Sequence, residues 1–508
     1  VPTGWYPTKV LFDDQQMIAV SAKGIRTRRP NVDSSQPTDK QGTNFEYVLA
    51  LLKGSVSLIP QTEIEANLSK WTQQVEEGSP LYSVRDGIKL PIRHIFYIIK
   101  ENRTYDQVLG DLSRGNGDPK LTLFGRDVTP NHHQIAEQFV TLDNFYANGE
   151  ISVLGHSFTT SGYASPFLEW LGNARYSGRY NSYPFGIVPA TFSPTYLWNA
   201  LEAKQVDYRI YGEPYYIFTR AYQVIIDTYG SDSELAQKFY QQTTLLAANI
   251  DRGKQLGKIF QAYYGQADTL EAAMQLLEKP EFVDGISQVL TGDLTLANAI
   301  KQNQVFRQRF ATFLLHYPLN YHSWDLSYSD LQRFKDWQVD FEKQVKSGKV
   351  APLHYIWLPN DHTAGKQNGL PNPYQFVAQN DAALGLILKA ISHSPIWQDS
   401  LILVVEDDAQ NGADHVDATR TVSLVAGPYV KRDAVVSDRY DQLSLLRTIE
   451  ILLGLSPLNQ NDALAVPMFS IFQKQPNLTP YVPTEPSKYL MESDSQLYQT
   501  PVKLSLPK

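Results

Sequence analysis

The chain contains no cysteine. That absence excludes disulfides, thiolate metal ligands and a thiol nucleophile together. It leaves the compartment open, because many exported bacterial proteins also lack cysteine. Positive charge is not in surplus either: 45 Lys and Arg stand against 53 Asp and Glu, for a formal net charge of −8. A sequence-independent nucleic-acid binder carries a basic footprint, and none is visible. The patch Arg26-Thr27-Arg28-Arg29 is short and reads as a solvated loop. No apolar run reaches the roughly 18 residues of a membrane span. The opening Val1-Pro2-Thr3-Gly4 has neither the basic start nor the apolar stretch of a signal peptide, as expected of a processed exported protein or of a fragment.

What is present is ordinary globular composition. Hydrophobic residues make up 42% and charged residues 19% of the 508 positions. A large core is available, and the length suggests two to four domains. Aromatic residues reach 12%, with 30 Tyr and 8 Trp, which suits an enzyme with large loops packed over a sheet.

Residues 1–60 read as β. Lys9–Phe12 and Met17–Ser21 flank Asp13-Asp14-Gln15-Gln16 as a hairpin, and Tyr47–Leu52 pairs with Ser55–Ile59 around Lys53-Gly54. Four short strands amount to one propeller blade, which cannot bury its faces alone. Residues 61–90 read as a polar helix and then a loop. From Pro91 the pattern changes. Arg93–Ile99, Phe139–Phe145, His354–Leu358, Leu401–Val405 and Thr421–Ala426 are continuous apolar runs, several of them separated by helical stretches. Buried runs alternating with helices predict an α/β domain over 91–470 with a mostly parallel central sheet flanked by helices. Within it, Leu245-Leu246, Ile250, Leu256, Ile259-Phe260, Leu276-Leu277 and Phe310–Leu315 recur at helical spacing and predict an all-α insertion over 230–315. Residues 471–508, rich in Pro, Ser, Tyr and Gln, read as a tail wrapped on the surface or partly disordered.

The polar residues that end the apolar runs carry the functional signal. One run ends in Glu101-Asn102, another in Glu406-Asp407-Asp408, a third in Pro359-Asn360-Asp361-His362. Ligands bind outside the carboxyl ends of strands in a parallel sheet. A lone Asp-Asp after a strand is commonly a helix cap or a turn. Three such clusters are expected to converge, and packed carboxylates repel unless a cation neutralises them. A divalent metal is the expected resident. After the run Phe139–Phe145, Ser152 opens a helical stretch. A hydroxyl there sits in the positive field of a helix N-terminus and is the best-placed nucleophile, with Ser157, Thr159 and Thr160 as rivals on the same segment.

The stretch Tyr97-Ile98-Ile99-Lys100-Glu101-Asn102-Arg103-Thr104-Tyr105-Asp106-Gln107 resembles the opening motif of the bacterial phosphoesterase family of phospholipases C and acid phosphatases, in the alkaline-phosphatase superfamily. Gly115–Pro119, Thr129–His133, Leu142–Tyr146, Leu358–Thr363 and Val405–Asp417 continue the resemblance. The set is most similar to bacterial fusions of a YVTN-type β-propeller with an alkaline-phosphatase-like domain, and Pro2–Pro7 resembles a propeller repeat. The resemblance spans about residues 1–230 and 315–470. It implies Glu101, Asn102, Asp407 and Asp408 as metal ligands with Ser152 as ligand and nucleophile. It implies His362 or His415 as proton donor to the leaving oxygen, and His133, Asn144 and His156 as pocket residues holding phosphate oxygens. It also implies a phosphate-ester substrate, a periplasmic or cell-surface location, and an upstream propeller or self-association as partner.

The chain departs from the family in places. Ser152-Val153-Leu154-Gly155-His156 lacks the proline that follows the nucleophile in the phospholipase branch, and the helical insertion is unusual. The hard donor set favours calcium, magnesium or manganese, while family habit keeps zinc and iron open. The expected activity is phosphate-ester hydrolysis through a phosphoserine. The alternatives are a phosphodiesterase or phospholipase C on the same scaffold, or a non-catalytic exported binding or assembly protein.

Overall fold

The computed structural model describes residues 1–24, 27, 48–78, 90–176, 192–246, 250–263, 265–365, 367, 369–410 and 412–499. Arg26, Arg28, Arg29, Tyr47, Asn411, the end of the 61–90 segment and the last residues of the tail therefore lie outside the described residues.

The chain opens with β1 (Trp5–Phe12), β2 (Gln16–Gly24) and β3 (Ser55–Pro60), paired antiparallel in the order β1-β2-β3. Between β2 and β3, Val48–Leu51 is a short helix rather than the expected fourth strand. Its Val48 and Leu51 bury against Ala418 of the following domain, and that packing overrides a weak local β preference. The helix Gln61–Gly78 covers one face of the sheet, where Met17, Ala19 and Ile59 meet Ile64 and Trp71. Polar contacts also fasten this unit to the rest. Lys23 Nζ lies 2.9 Å from Glu150 Oε1, and Thr27 Oγ1 donates to Asp417 Oδ1 at 2.6 Å.

The main domain begins with β4 (His94–Lys100). Short β5 (Val140–Leu142) and β6 (Phe145–Tyr146) follow, then β7 (Tyr208–Tyr211), β8 (Leu353–Leu358), β9 (Ser400–Glu406), β10 (Ser423–Ala426), β11 (Ala434–Val436) and β12 (Tyr440–Asp441). The central sheet runs β10-β9-β4-β8-β7, with β9, β4, β8 and β7 parallel and β10 antiparallel at one edge. This is the expected α/β class with a parallel-rich sheet flanked by helices. Isoleucine and aromatic side chains fill both faces of β4, and Ile95 to Ile99 are fully buried. Each such side chain contributes roughly 1.5–3 kcal/mol of burial. Phe96 meets Trp337 and Phe341 edge-on, from the helix Asp330–Ser347. That helix is started by the Ser329/Gln332 capping box and stopped by Gly348 at φ 67°.

One run behaves differently from expectation. Phe139–Phe145 does not enter the central sheet. Asp143-Asn144 interrupts it, and its halves pair separately, β5 with β11 and β6 with β12. The described residues of the 230–315 stretch are largely helical. Glu234–Leu246, Ile250–Ala262, Leu270–Leu276, Pro280–Thr291, Thr295–Gln302 and Gln304–His316 bury their apolar stripes in the same continuous core as the sheet. In the tail, Tyr481 Oη donates to Asn131 Oδ1 at 2.8 Å and Gln379 Nε2 donates to Asp494 Oδ2 at 2.7 Å, so its described part is ordered on the surface. Among the described residues, no helix is long and apolar enough to cross a membrane.

Candidate metal centre

Register places the site. Lys100 at the end of β4 is level with Leu358 of β8 on one side and with Glu406 of β9 on the other. The residues that follow these three strands therefore emerge side by side. Glu101 N–H donates to Asp361 Oδ1 at 3.0 Å, and Asn102 N–H donates to Asp407 Oδ1 at 3.1 Å. Asn102 sits at φ 26°, a left-handed conformation that asparagine tolerates better than most residues. Such strain is held only where the surroundings over-determine it, here by the bond to Asp407 and by Asn102 Nδ2 on Glu101 Oε2 at 3.3 Å.

Ser152 arrives from the other side. It is the first residue of the helix Ser152–Ser161, whose N-cap Ile151 supplies no side-chain cap. Ser152 Oγ donates to Asp408 Oδ2 at 2.9 Å. The helix comes this close because of Gly155: a Cβ there would lie 1.9 Å from the Asp407 carbonyl oxygen. Gln442 braces the same turn, its Nε2 donating to the Glu406 carbonyl at 3.0 Å and to the Asp407 carbonyl.

His156, one helical turn after Ser152, lies inside this cluster rather than outside it. Nε2 faces Glu101 Oε1 at 3.3 Å and Asp407 Oδ2 at 3.9 Å, while Nδ1 pairs with Glu213 Oε2 at 2.8 Å. Glu213 is fixed in turn by Tyr355 Oη at 2.7 Å and by the Tyr215 N–H at 2.9 Å. Glu101 Oε1 also accepts from Trp357 Nε1 at 3.0 Å.

All these groups are buried, and their electrostatics follow from that. Burial, and then the charge of Glu101, hold the Asp407 carboxyl well above its usual range. Burial and then Asp407 do the same to Asp408. Burial raises Glu101 too, with His156 opposing. For His156 burial works downward, but Glu213 and Glu101 outweigh it and hold the imidazole well above its ordinary value. Among the described residues, Asp407 Oδ2 and Asp408 Oδ1 have no hydrogen-bond partner. Ligand atoms of Glu101, His156 and Asp407 lie within 4.8 Å of one another. Orphaned buried oxygens on carboxylates that destabilise one another fit a divalent cation. Directly behind, Lys100 Nζ bridges Asp361 Oδ2 at 2.8 Å and Glu406 Oε1 at 2.9 Å. That ion pair neutralises the inner carboxylates and leaves Asp407 and Asp408 to the site.

The other residues expected here lie elsewhere. His133 is buried with Nδ1 on the Thr129 carbonyl and Nε2 on Asp111 Oδ1, both at 2.7 Å, so it fixes the start of the helix Pro130–Gln138. Asn144 accepts from Tyr146 Oη at 2.7 Å and donates to the Ser437 carbonyl at 3.0 Å, bracing β6 and its neighbours. His415 pairs with Asp106 Oδ2 at 2.6 Å and with Asn116 Oδ1 at 3.0 Å, so both ring nitrogens are engaged. His362 stays near the centre without touching it. Its Nδ1 meets the Thr363 carbonyl at 2.8 Å, and Arg103 donates to the Asp361 and His362 carbonyls beside it. Burial lowers the His362 pKa. Glu213 was not foreseen. The signal existed, since Tyr208–Tyr211 is a short β run followed by Gly212-Glu213, the same strand-then-acid pattern as β4 and β9.

No family model matches the chain and no curated protein matches it. Among solved structures it is similar to a protein in the alkaline phosphatase superfamily from Vibrio parahaemolyticus, at 12% identity over 74% of this chain and 70% of that one, TM-score 0.37. It is similar to the phosphonate monoester hydrolase of Agrobacterium radiobacter, at 12% identity over 75% and 77%, TM-score 0.39. It is also similar to human ectonucleotide pyrophosphatase/phosphodiesterase 5, at 10% identity over 76% and 100%, TM-score 0.38. At such distances these likenesses carry no weight for activity, and the function is read from the geometry of the centre itself.

Proposed function

We propose that the chain is a divalent-metal-dependent phosphoesterase with Ser152 as nucleophile. One observation carries the reading: the Ser152 hydroxyl lies 2.9 Å from Asp408 Oδ2 at an uncapped helix N-terminus, beside buried carboxylate oxygens that accept no hydrogen bond among the described residues. Glu101, Asp407 and Asp408 would hold the cation, joined by Asn102 and by His156, whose orientation Glu213 sets. When bound, the cation supplies Lewis acidity, neutralising phosphoryl charge and favouring the ionised hydroxyl.

The chain's own groups account for the rest. Ser152 Oγ is aimed by Asp408, which accepts its proton. A bond forms from Oγ to phosphorus as the ester P–O bond breaks. The first turn of the helix Ser152–Ser161 offers N–H groups to the phosphoryl oxygens. The leaving oxygen takes a proton at the rim, where His362 is the imidazole to hand. Water then cleaves the Oγ–P bond, releasing phosphate and restoring the hydroxyl.

The test measures metal content by mass spectrometry on the sample used to hydrolyse p-nitrophenyl phosphate and its bis ester. Stoichiometric metal and chelator-sensitive turnover are expected. Ser152→Ala is expected to lower kcat by about 10³-fold or more with an unchanged melting temperature. Turnover within tenfold of wild type in that variant would overturn the assignment.

A further inference from the structure

Beside the centre stands an aromatic group that the chemistry above does not use. Trp324 is 46% exposed. Its indole stacks on Trp357, with centroids 5.8 Å apart and planes 25° from parallel. The His362 ring meets it at 4.9 Å and 87°, edge to face. Trp357 is the residue whose indole N–H holds Glu101 Oε1 at 3.0 Å. One ring therefore separates Trp324 from a carboxylate of the proposed cation site.

A lone exposed tryptophan is common on protein surfaces and by itself means little. The mounting of this one is different. Arg333 is fully buried, and it clamps the backbone on both sides of the indole. Its Nη2 donates to the Ser323 and Asp325 carbonyls, each at 2.8 Å, and its Nε to the His322 carbonyl at 2.9 Å. Its Nη1 reaches Asn360 Oδ1 at 2.8 Å, on the turn that carries Asp361 and His362. Ser323 Oγ adds a bond to the Gly212 carbonyl at 2.7 Å, next to Glu213. The loop is thus fixed to the ends of β7 and β8, where Glu213 and Asp361 stand beside the centre. Burying a guanidinium is costly unless its donors are satisfied, and here three of its bonds go to the loop around one half-exposed ring. A rigid aromatic face loses little entropy when a ligand lands on it.

We infer that Trp324 is the platform for the leaving group of the ester, and that the preferred substrates carry a ring with an apolar face on the alcohol side. The inference rests on the phosphoesterase reading and narrows it to a substrate class. Trp324 is a specificity residue: it touches the alcohol portion and leaves the phosphoryl group to the centre. Stacking holds ground state and transition state alike, so its loss shows in KM rather than in kcat.

Phenyl phosphate, glucose 6-phosphate and glycerol 3-phosphate are compared as substrates of the metal-loaded full chain, of Trp324→Ala and of Trp324→Phe. Trp324→Ala is expected to raise KM for the ring-bearing esters by about five- to tenfold with kcat kept, and to leave glycerol 3-phosphate within twofold. Trp324→Phe is expected to recover most of the loss. A loss confined to phenyl phosphate marks an aromatic alcohol, and a loss on both rings marks a ring of either kind. Equal losses on all three esters, or none, overturn the platform. If the wild type hydrolyses none of them and not the bis-p-nitrophenyl ester either, the phosphoesterase reading fails, and the platform is judged by calorimetric binding of phenyl phosphate. Binding at least fivefold weaker in Trp324→Ala than in wild type upholds it; equal affinity, or binding to neither, overturns it.

Discussion

Two buried carboxylate clusters lie within a few residues of each other in the sequence, and they are neutralised differently. In each, three side chains bring ligand atoms within 4.8 Å: Glu101, His156 and Asp407 in one, Asp106, Asp414 and His415 in the other. The second has its cation built in. Arg420, fully buried, donates from Nη2 to Asp106 Oδ1 at 2.9 Å and from Nε to Asp414 Oδ2 at 3.0 Å. Backbone N–H groups of His415, Val416 and Asp417 fill further carboxylate positions. Among the described residues no guanidinium bonds to the first cluster; its imidazole, His156, stands 3.3 Å from Glu101 Oε1 and 3.9 Å from Asp407 Oδ2. Arg103 turns its N–H groups to the Asp361 and His362 carbonyls instead, and among the described residues Asp407 Oδ2 and Asp408 Oδ1 accept no hydrogen bond. Proximity of acids therefore does not mark a metal site. What marks it is proximity with buried carboxylate oxygens left without a hydrogen bond.

The largest expected effect breaks the second cluster. Arg420→Met removes the only guanidinium bonded to Asp106 and Asp414 among the described residues and strands two buried carboxylates. A loss of about 3–5 kcal/mol is expected in chemical denaturation, with metal content of any folded protein unchanged. A variant as stable as wild type would show that the cluster does not depend on its arginine.

The next effect separates the clusters by sign. In chelator-treated protein at pH 8, Asp408→Asn takes one charge out of a self-repelling group and is expected to raise stability by roughly 1–2 kcal/mol. Asp414→Asn takes an acceptor from Arg420 and is expected to lower it by roughly 1–3 kcal/mol. With metal restored, Asp408→Asn should become the less stable of wild type and variant, because ligand binding stabilises only the protein that keeps its ligands. Equal losses for both substitutions without metal would erase the distinction drawn above.

The sequence makes one of these clusters more legible than the other. Glu101, Asn102, Asp407 and Asp408 each follow a continuous apolar run, and parallel register then brings them together whatever the loops do. Ser152 is readable for the same reason, as a hydroxyl opening a helix. His133 and Asn144 sit in equally suggestive motifs, yet the ring of His133 is turned to Asp111 and the amide of Asn144 to Ser437. A motif gives a residue's place along the chain, whereas its direction depends on partners far away in sequence. Glu213 was hidden because β7 is only four residues long and is built of Tyr, Arg and Ile rather than a plainly apolar run. The helix at Val48–Leu51 was hidden because its apolar side faces Ala418, a partner some 370 positions on. Trp324 carries no sequence signal at all, since its meaning lies in Arg333 and Trp357.

A third way of neutralising buried acids gives the smallest and sharpest test. Glu450 and Asp462 lie fully buried near one another, with Arg447 Nη1 donating to Glu450 Oε2 at 3.0 Å. Asp462 takes the backbone N–H groups of Leu458 and Asn459. Burial first, and then Asp462, push the Glu450 carboxyl from an ordinary 4.5 up to about 9. Here a proton joins the Arg447 guanidinium as the compensating charge. The sign follows directly. Between the unfolded value near 4.5 and the folded value near 9, the folded protein binds one more proton than the unfolded chain, so stability is complete below that window and is lost as pH rises through it. Denaturation at fixed ionic strength should show a slope of about −1.4 kcal/mol per pH unit across pH 6–8 from this group. Glu450→Gln keeps the shape, needs no proton, and should flatten that part of the profile. Asp408→Asn, measured with saturating metal, should leave the Glu450 slope in place, because the two sites share no partner. A wild-type profile already flat over this range would mean that the pair is held by Arg447 alone, which would group it with the Arg420 cluster.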